Sequence, residues 1–409
     1  MTPAHLRERV RRLPGLEELI SALEGLPPTY LVGGAVRDVL RGERPADLDL
    51  AVEGDARDTA RALAERLAGT ATEHERFGTA TVRTGRGSFD LATTRREAYD
   101  RPGVLPRVQP APLADDLGRR DFTVNAMAIG LRGDDLGHLY DPRGGSPDLD
   151  AGIVRILHPA SFLDDPTRLL RAVRYETRLG FAMEEATERA ARTAVAEGAL
   201  ETVSGARVRD ELMDMLRELE APTAIARLGD LEIDRALDPA LAPDPELVAS
   251  ASLGATAIGA DPGLASLAAL CAGAPQDLDL WLASLQLDAR DRDAVARAAR
   301  SAPVVVALLR EREHAPSELR SVLGTEPPEL LALALALGGP PEPILRWVTE
   351  LAAVRLSISG TDLTAAGVPE GPALGRALAR TLELKLDGRV SGRDQELATA
   401  LEIAREHGG

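Results

Sequence analysis

Leu31-Val-Gly-Gly-Ala-Val-Arg-Asp-Val-Leu-Arg-Gly-Glu-Arg-Pro-Ala-Asp-Leu-Asp-Leu50 is the stretch on which the fold of this chain turns. A short apolar strand, Tyr30 to Gly33, runs into a Gly-Gly turn. A helix begins near Ala35 and stops at Gly42, and a second strand follows from Asp47 to Val52. On a strand, residues i and i+2 point to the same face, so Asp47 and Asp49 stand side by side. Carboxylates so placed repel each other unless a cation lies between them. Mg²⁺ suits that position because it takes hard oxygen ligands and shares them with phosphates. Gly33 and Gly34 let the backbone approach an anion, and the helix start offers its amides to it. One segment thus predicts both a metal site and a triphosphate cradle.

Working outward, a chain of 409 residues is expected to form more than one domain. Its aromatic content of 3% leaves Leu, Ala and Val to build the cores, a mix that favours helices. Lys385 is the only lysine, and arginine carries the remaining positive charge. A net charge of −17 argues against promiscuous binding of nucleic acid but not against a specific contact made by arginines gathered on one surface. Cys271 is the sole cysteine, which excludes an internal disulfide and a cysteine-based zinc site and fits the reducing cytoplasm. The N-terminus has no signal-like apolar run, and no segment approaches the ~20 apolar residues of a membrane span.

The pattern along the chain gives a small α/β domain followed by helices. Residues 4–26 read as a helix interrupted at Pro14, and 55–68 as an amphipathic helix. Thr79–Thr84 and Ser88–Thr93 read as a hairpin joined through Gly85-Arg86-Gly87. Arg101–Pro112 reads as a Pro-rich loop and Phe122–Leu131 as a further strand. Beyond Asp150 the β signals disappear. Residues 160–220 read as helical, 239–264 as a loose connection, and 265–350 as Leu/Ala helices broken at Pro303, Pro316 and Pro340-Pro341.

Three further segments carry chemistry. Asp90, in Ser88-Phe-Asp-Leu-Ala-Thr-Thr-Arg95, is a candidate third carboxylate, either a general base or a ligand of a second metal. Two metals about 3.5–4 Å apart would activate an attacking hydroxyl and hold a leaving pyrophosphate. Arg119-Arg120-Asp121-Phe-Thr-Val-Asn125 supplies guanidinium forks that match phosphate oxygens, with Asp121 and Asn125 able to meet a ribose hydroxyl. In Phe162-Leu-Asp-Asp-Pro-Thr-Arg-Leu-Leu-Arg-Ala-Val-Arg-Tyr175, Asp165 and Arg168 are spaced i, i+3 and are expected to share a helix face. A carboxylate there would accept from the amino group of cytosine or adenine, and the guanidinium would donate to the ring nitrogen. Uracil and guanine present the opposite pattern, which such a site can reject by ~10⁴-fold. The same pair also reads as an exposed salt bridge. Arg171 and Arg174 are added as candidate nucleotide contacts.

Taken in this order, these segments resemble those of the class II tRNA nucleotidyltransferases and their poly(A) polymerase relatives. Gly33-Gly-Ala-Val-Arg-Asp38 with Asp47-Leu-Asp49 is similar to the family's catalytic motif, Arg119–Asn125 to its ribose motif, and Asp164-Asp-Pro-Thr-Arg168 to its base template. Val203-Ser-Gly-Ala-Arg-Val-Arg-Asp-Glu-Leu212 resembles the segment that buttresses the template helix, and Tyr140–Leu149 also fits. The resemblance covers 27–220 strongly. It continues weakly at Ile358-Ser-Gly-Thr-Asp-Leu363 and Gly371-Pro372.

That resemblance implies an N-terminal helical segment (1–26) and a mixed-sheet α/β catalytic head (27–148). An all-α remainder would follow, made of neck (149–225), body (226–350) and tail (351–409). The implied reaction adds C and/or A from CTP or ATP to the 3′ end of tRNA, with Mg²⁺ bound by Asp47 and Asp49. Gly33, Gly34, Arg37, Asp38 and Arg120 would handle the triphosphate or order its loop, and the tail, about 358–400, would bind tRNA. Among the six histidines there is no His-Asp doublet, so the phosphohydrolase domain carried by some members is not expected. Tyr99-Asp-Arg-Pro-Gly-Val-Leu-Pro-Arg-Val-Gln-Pro110 is more similar to the loop of A-adding and split-function relatives, a loop that in the family helps switch the site from C to A. Addition of CCA, of CC or of A alone all remain open. So do a poly(A) polymerase of the same family and, in another class, a non-catalytic RNA-binding protein.

Overall fold

The computed structural model describes residues 2–74, 78–239, 241, 243–273 and 277–406. The chain divides into two compact units, Met1–Val208 with Asp230–Ala236, and Arg209–Gly229 with Leu237–Gly409.

The first unit opens with helices α1 (Pro3–Arg11) and α2 (Leu16–Ala22), separated where Pro14 was expected to interrupt. Strand β1 (Thr29–Val32) leads through Gly33 into α3 (Gly34–Arg41), which closes on Gly42 with φ +82°. Strand β2 (Asp49–Val52), helix α4 (Ala56–Arg66), β3 (Thr70–His74), β4 (Thr79–Thr84) and β5 (Gly87–Thr93) follow. The Gly85–Gly87 hairpin signal is thus met. A separate two-stranded arm, β6 (Arg95–Ala98) with β7 (Arg107–Pro110), flanks the loop that had been read as wholly irregular. Helix α5 (Leu113–Gly118), β8 (Ala128–Gly130) and β9 (Leu139–Tyr140) complete the main sheet, whose order is β3-β4-β5-β2-β1-β8-β9.

The sheet is mixed: β2 and β5 run parallel, and the other neighbours are antiparallel. Tyr30, Val32, Ala51 and Ala128 pack with Leu113 and Leu117 of α5 on one face. By strand alternation the opposite set, Leu31, Leu50, Val52, Val82 and Leu91, is buried on the other face. Towards β5 and β4 the first face opens, and the candidate site lies there.

The expected strand from Phe122 to Leu131 is shorter than its apolar run suggests. Residues 123–125 form a 3₁₀ turn and only Ala128–Gly130 joins the sheet. Side-chain bonds divert the backbone: Asp121 accepts from the Phe122 amide, and Thr123 donates to Asp148 at 2.6 Å. From Gly145 onward the segment is mostly helical, with α6 (Gly145–Ala151), α7 (Ser161–Asp164), α8 (Thr167–Leu179), α9 (Glu185–Ala196) and α10 (Gly205–Leu216). It still contains a two-stranded parallel pair, β10 (Ile153–Val154) with β11 (Ala182–Met183), which sequence reasoning missed.

The second unit is helical among its described residues. Two expectations fail there. Residues 239–264 are not a loose connection, because helices span Pro245–Ile258 and Pro262–Leu270. Their Asp-Pro starts read as loop punctuation, yet Asp244 and Asp261 each cap two amides with proline at the first helical position. Nor does Pro303 break its helix, which runs from Ala289 to Glu311. A buried stripe of Val295, Ala299, Ala302, Val306 and Leu309 continues across it and offsets a proline cost of about 3 kcal/mol. The C-terminal helices Gly360–Ala365, Pro372–Leu386 and Arg393–Glu406 enclose their own small core around Ile358, Leu363, Ala377 and Ala400.

Candidate active site

Asp49 begins β2, and the parallel register sets it directly opposite Asp90 of β5. Both are solvent-accessible, while Leu48, Leu50, Phe89 and Leu91 beside them are buried, so the strand pleat itself turns the two carboxylates outward on one face. They line a recess of about 300 Å³ with Thr81, His74, Asp116, Arg119 and Arg120. Asp47 lies two residues before β2 rather than on it. It borders a neighbouring recess of about 220 Å³ with Arg44 and Arg86, and Asp90 borders both. The walls of the recess and the negative charge of Asp90 push the Asp49 carboxyl above its ordinary value. Arg120 pulls it down and Asp47 pushes it up again.

Mutual repulsion at three accessible carboxylates creates a demand for positive charge. Among the described residues no three His, Cys, Asp or Glu side chains form a closed cage for an ion. Mg²⁺ held through one or two carboxylates and substrate phosphates needs no such cage, so the donor set fits.

Above the carboxylates sits the Gly-Gly turn. Gly33 has φ +68°, and a Cβ there would come within 2.9 Å of Arg120 Nη1. The positive φ favours glycine here, whereas the flexible arginine tip could swing aside from a Cβ. No side chain caps the first turn of α3, which leaves its end open to an anion. Arg120 is anchored by Asp116 at 3.0 Å, and among the described residues its buried Nε has no hydrogen-bond partner. Arg119 is held by Asp116 and Glu97 and is thereby withdrawn from free phosphate contact.

Arg37 does not face the recess freely. It is 1% exposed, pairs with Asp38 and donates to Asn125 Oδ1 at 2.9 Å. Asn125 Nδ2 donates to Asp121 Oδ1, Asp121 Oδ2 accepts from Arg171 at 2.7 Å, and Arg171 donates to the Tyr175 hydroxyl. The Tyr175 ring lies beneath the Arg37 guanidinium at 5.5 Å and meets Phe122 edge-on. Burial alone would raise the Asp121 carboxyl, but Arg171, Asn125 and the Phe122 amide hold it below the usual carboxylate range. Asp121 and Asn125, expected as groups able to meet a ribose hydroxyl, are buried and take part in a closed circuit tying α3 to α8. The short stretch Arg119–Asn125 gave no sign of its distant partners.

Asp165 and Arg168 come close by another route than the one expected. Asp165 lies in extended backbone between α7 and α8, at φ −136° and ψ 92°, and not on a shared helix face. Its Oδ1 accepts from the Thr167 amide and hydroxyl, and its Oδ2 from Arg207 at 2.7 Å. Arg168 is buried and donates to Ser161 Oγ and to the Arg119 carbonyl. Each NH₂ group of Arg168 retains a second hydrogen, and Oδ2 of Asp165, with one donor against it, retains a second lone pair. Arg174 lies on α8, partly buried and partnered. The loop between β6 and β7 reaches the same place: the Gly103 amide donates to the Asp164 carbonyl, and Arg207 reaches the Gly103 carbonyl. Neither Thr81 nor Gly103 was singled out from the sequence, although Pro102-Gly103 marks a special turn.

Comparison with known proteins places this geometry. Residues 29–155 match the Poly A polymerase head domain. Over 376 residues the chain is 34% identical to the CC-adding tRNA nucleotidyltransferase of Deinococcus radiodurans, covering 90% of this chain and 87% of that one. It is 33% identical over 398 residues to the A-adding tRNA nucleotidyltransferase of Geobacter sulfurreducens, covering 92% of this chain but only 45% of that longer protein. Among solved structures, a CCA-adding enzyme in complex with CTP matches with a TM-score of 0.77 at 31% identity, covering 98% of this chain and 96% of that one. The Thermotoga maritima CCA-adding enzyme complexed with tRNA matches at 0.72 and 31%, covering 95% and 94%. No described helix is long and apolar enough to cross a membrane.

Proposed function

This chain belongs to the tRNA nucleotidyltransferase family, and from that premise we propose that it adds C and/or A from CTP or ATP to the 3′ end of tRNA without a nucleic-acid template, in the cytoplasm. The observation that carries the reading is the register of Asp49 against Asp90 below the open Gly33 turn and the Arg120 guanidinium.

In this reading the head, 27–148, performs the transfer. The triphosphate lies along the first turn of α3, with Arg120 Nε as the donor awaiting an oxygen. Arg37 acts from behind, fixing α3 through Asn125 rather than touching phosphate. The oxygen of Asp90 that Thr81 leaves free receives the proton of the RNA 3′-hydroxyl as the hydroxyl oxygen bonds to the α-phosphorus and the bond to pyrophosphate breaks. Mg²⁺ held by Asp47 and Asp49 would supply the positive charge that stabilises the transferring phosphoryl group. The neck, 149–225, presents Asp165 as acceptor and Arg168 as donor to the base edge, each held in place by its second partners. The helices of 358–400 are proposed to carry the tRNA contact.

The test uses tRNAs lacking the last one, two or three nucleotides of the CCA end, each with CTP or ATP alone. Limited addition supports the proposal and assigns CCA, CC or A. Long A tracts would make it a poly(A) polymerase, and no addition to any of them would leave the RNA-binding reading.

A further inference from the structure

The sheet register builds a single row of side chains across four strands. Thr72 of β3 stands opposite Thr81 of β4, Thr81 opposite Asp90 of β5, and Asp90 opposite Asp49 of β2. Within the row Thr81 is 9% exposed, and its hydroxyl donates to Asp90 Oδ1 at 2.6 Å. A hydroxyl has one hydrogen, and here Asp90 takes it. The Nε2 of His74, 3.4 Å from the same oxygen, must then be the donor of that weaker contact. Threonine is branched at Cβ and stiff about χ1, so the donor is held by the strand itself. Asp90 is thereby left with one oxygen fixed and the other free of any protein partner among the described residues, at the border of both recesses.

We propose that Thr81 is a positioning residue for the reaction: it locks the rotamer of Asp90 so that the second carboxylate oxygen faces the RNA 3′-hydroxyl beside Asp49. The inference rests on the reading of Asp90 as the carboxylate that meets that hydroxyl. Thr81 touches neither nucleotide nor RNA and works through Asp90 alone. Its loss should slow the chemical step and leave binding of the nucleotide unchanged, because a misdirected reacting group costs up to ~10²-fold in rate while distant contacts persist.

The experiment compares Thr81→Val, Thr81→Ser and Asp90→Ala in the full chain, measuring kcat and the nucleotide KM on a tRNA lacking its last nucleotides. Valine keeps the shape and β preference of threonine but has no donor. The expected result is a fall in kcat of about tenfold to a hundredfold for Thr81→Val, with KM within about twofold, and recovery of most of that loss in Thr81→Ser. Wild-type turnover in Thr81→Val beside an inactive Asp90→Ala would overturn the role of Thr81 alone. So would a loss confined to KM, or a serine variant as slow as the valine one. An active Asp90→Ala enzyme would overturn the assignment of Asp90 itself, and the role of Thr81 with it.

Discussion

Arg207, in the first turn of α10, donates to Asp165 at 2.7 Å, and so a segment 42 residues downstream holds the acceptor of the proposed base-reading pair. The carboxylate would otherwise swing about its own backbone, since Thr167 restrains only one of its oxygens. Arg207→Ala should raise the KM for CTP and ATP by about tenfold and reduce the preference over UTP and GTP. Steady-state incorporation of each nucleotide measures both. Unchanged discrimination would mean that Asp165 needs no such support.

The carboxylates offer the most severe test. Asp47→Ala and Asp49→Asn should each lower kcat by at least about a hundredfold while leaving tRNA affinity, read by filter binding, within error. Turnover within tenfold of wild type in either variant would remove that residue from the machinery.

Gly103 has φ +72°, and a Cβ there would fall on the Thr202 hydroxyl and carbonyl. Gly103→Ala should therefore release the β6–β7 loop from the neck. Because Arg207 also contacts the Gly103 carbonyl, the effect should reach the base-reading pair. The ratio of kcat/KM for ATP to that for CTP should shift by several-fold. A variant with the wild-type ratio would show that docking of this loop does not govern nucleotide choice.

Tyr175 of α8 meets α3 through its ring, which lies beneath Arg37, while its hydroxyl accepts from Arg171 one turn earlier in the same helix. Tyr175→Phe should destabilise the protein by about 1.5 kcal/mol, the low end for one hydrogen bond to a charged donor. Tyr175→Leu should cost about 1–2 kcal/mol more, since the edge contact with Phe122 and the cation–π contacts go as well. Denaturant unfolding gives both values, and equal stability of the two variants would contradict the ring's part.

In the second unit Lys385 Nζ donates to the buried Glu396 at 2.6 Å, and Glu396 also accepts from the Ser357 amide. Burial raises that carboxyl, but the ammonium and the amide outweigh it and hold it below its ordinary value. A carboxyl depressed by folding contributes stability above its unfolded value of about 4.3 and loses it as pH falls through the folded value. Melting temperature should therefore drop on acidification below about pH 4, and Glu396→Gln should flatten that part of the curve. Parallel acid curves for the two proteins would rule the pair out as a contributor.

Much of this was legible because local rules and tertiary structure agree. The Gly33-Gly34 turn, the stop at Gly42, the Gly85–Gly87 hairpin and the outward aspartates each follow from neighbours in sequence. The failures have two causes: a partner far along the chain redirects a local signal, or one local signal admits two readings. Asp121 and Asn125 looked open to a ribose because nothing nearby announces Arg37 and Arg171. Asp165 and Arg168 looked like a helix pair because the break before α8 depends on capping by Asp165 itself. The helices at 245–258 and 262–270 were missed because Asp-Pro marks a turn and a helix start equally well.

The β4–β5 hairpin closes on two residues, Gly85 and Arg86, and with them decides which side of the sheet Asp90 occupies. Strands have a period of two, so slipping the pairing by one residue would exchange Asp90 for Phe89 or Leu91 in the row beside Asp49. An acid would be replaced by a ring or a branched chain in that row, and the side chains now buried on the other face would turn outward with it. The two-residue length of this bend, whose Arg86 borders the recess of Asp47 and Asp90, is thus tied at once to the acid in that row and to the core behind it.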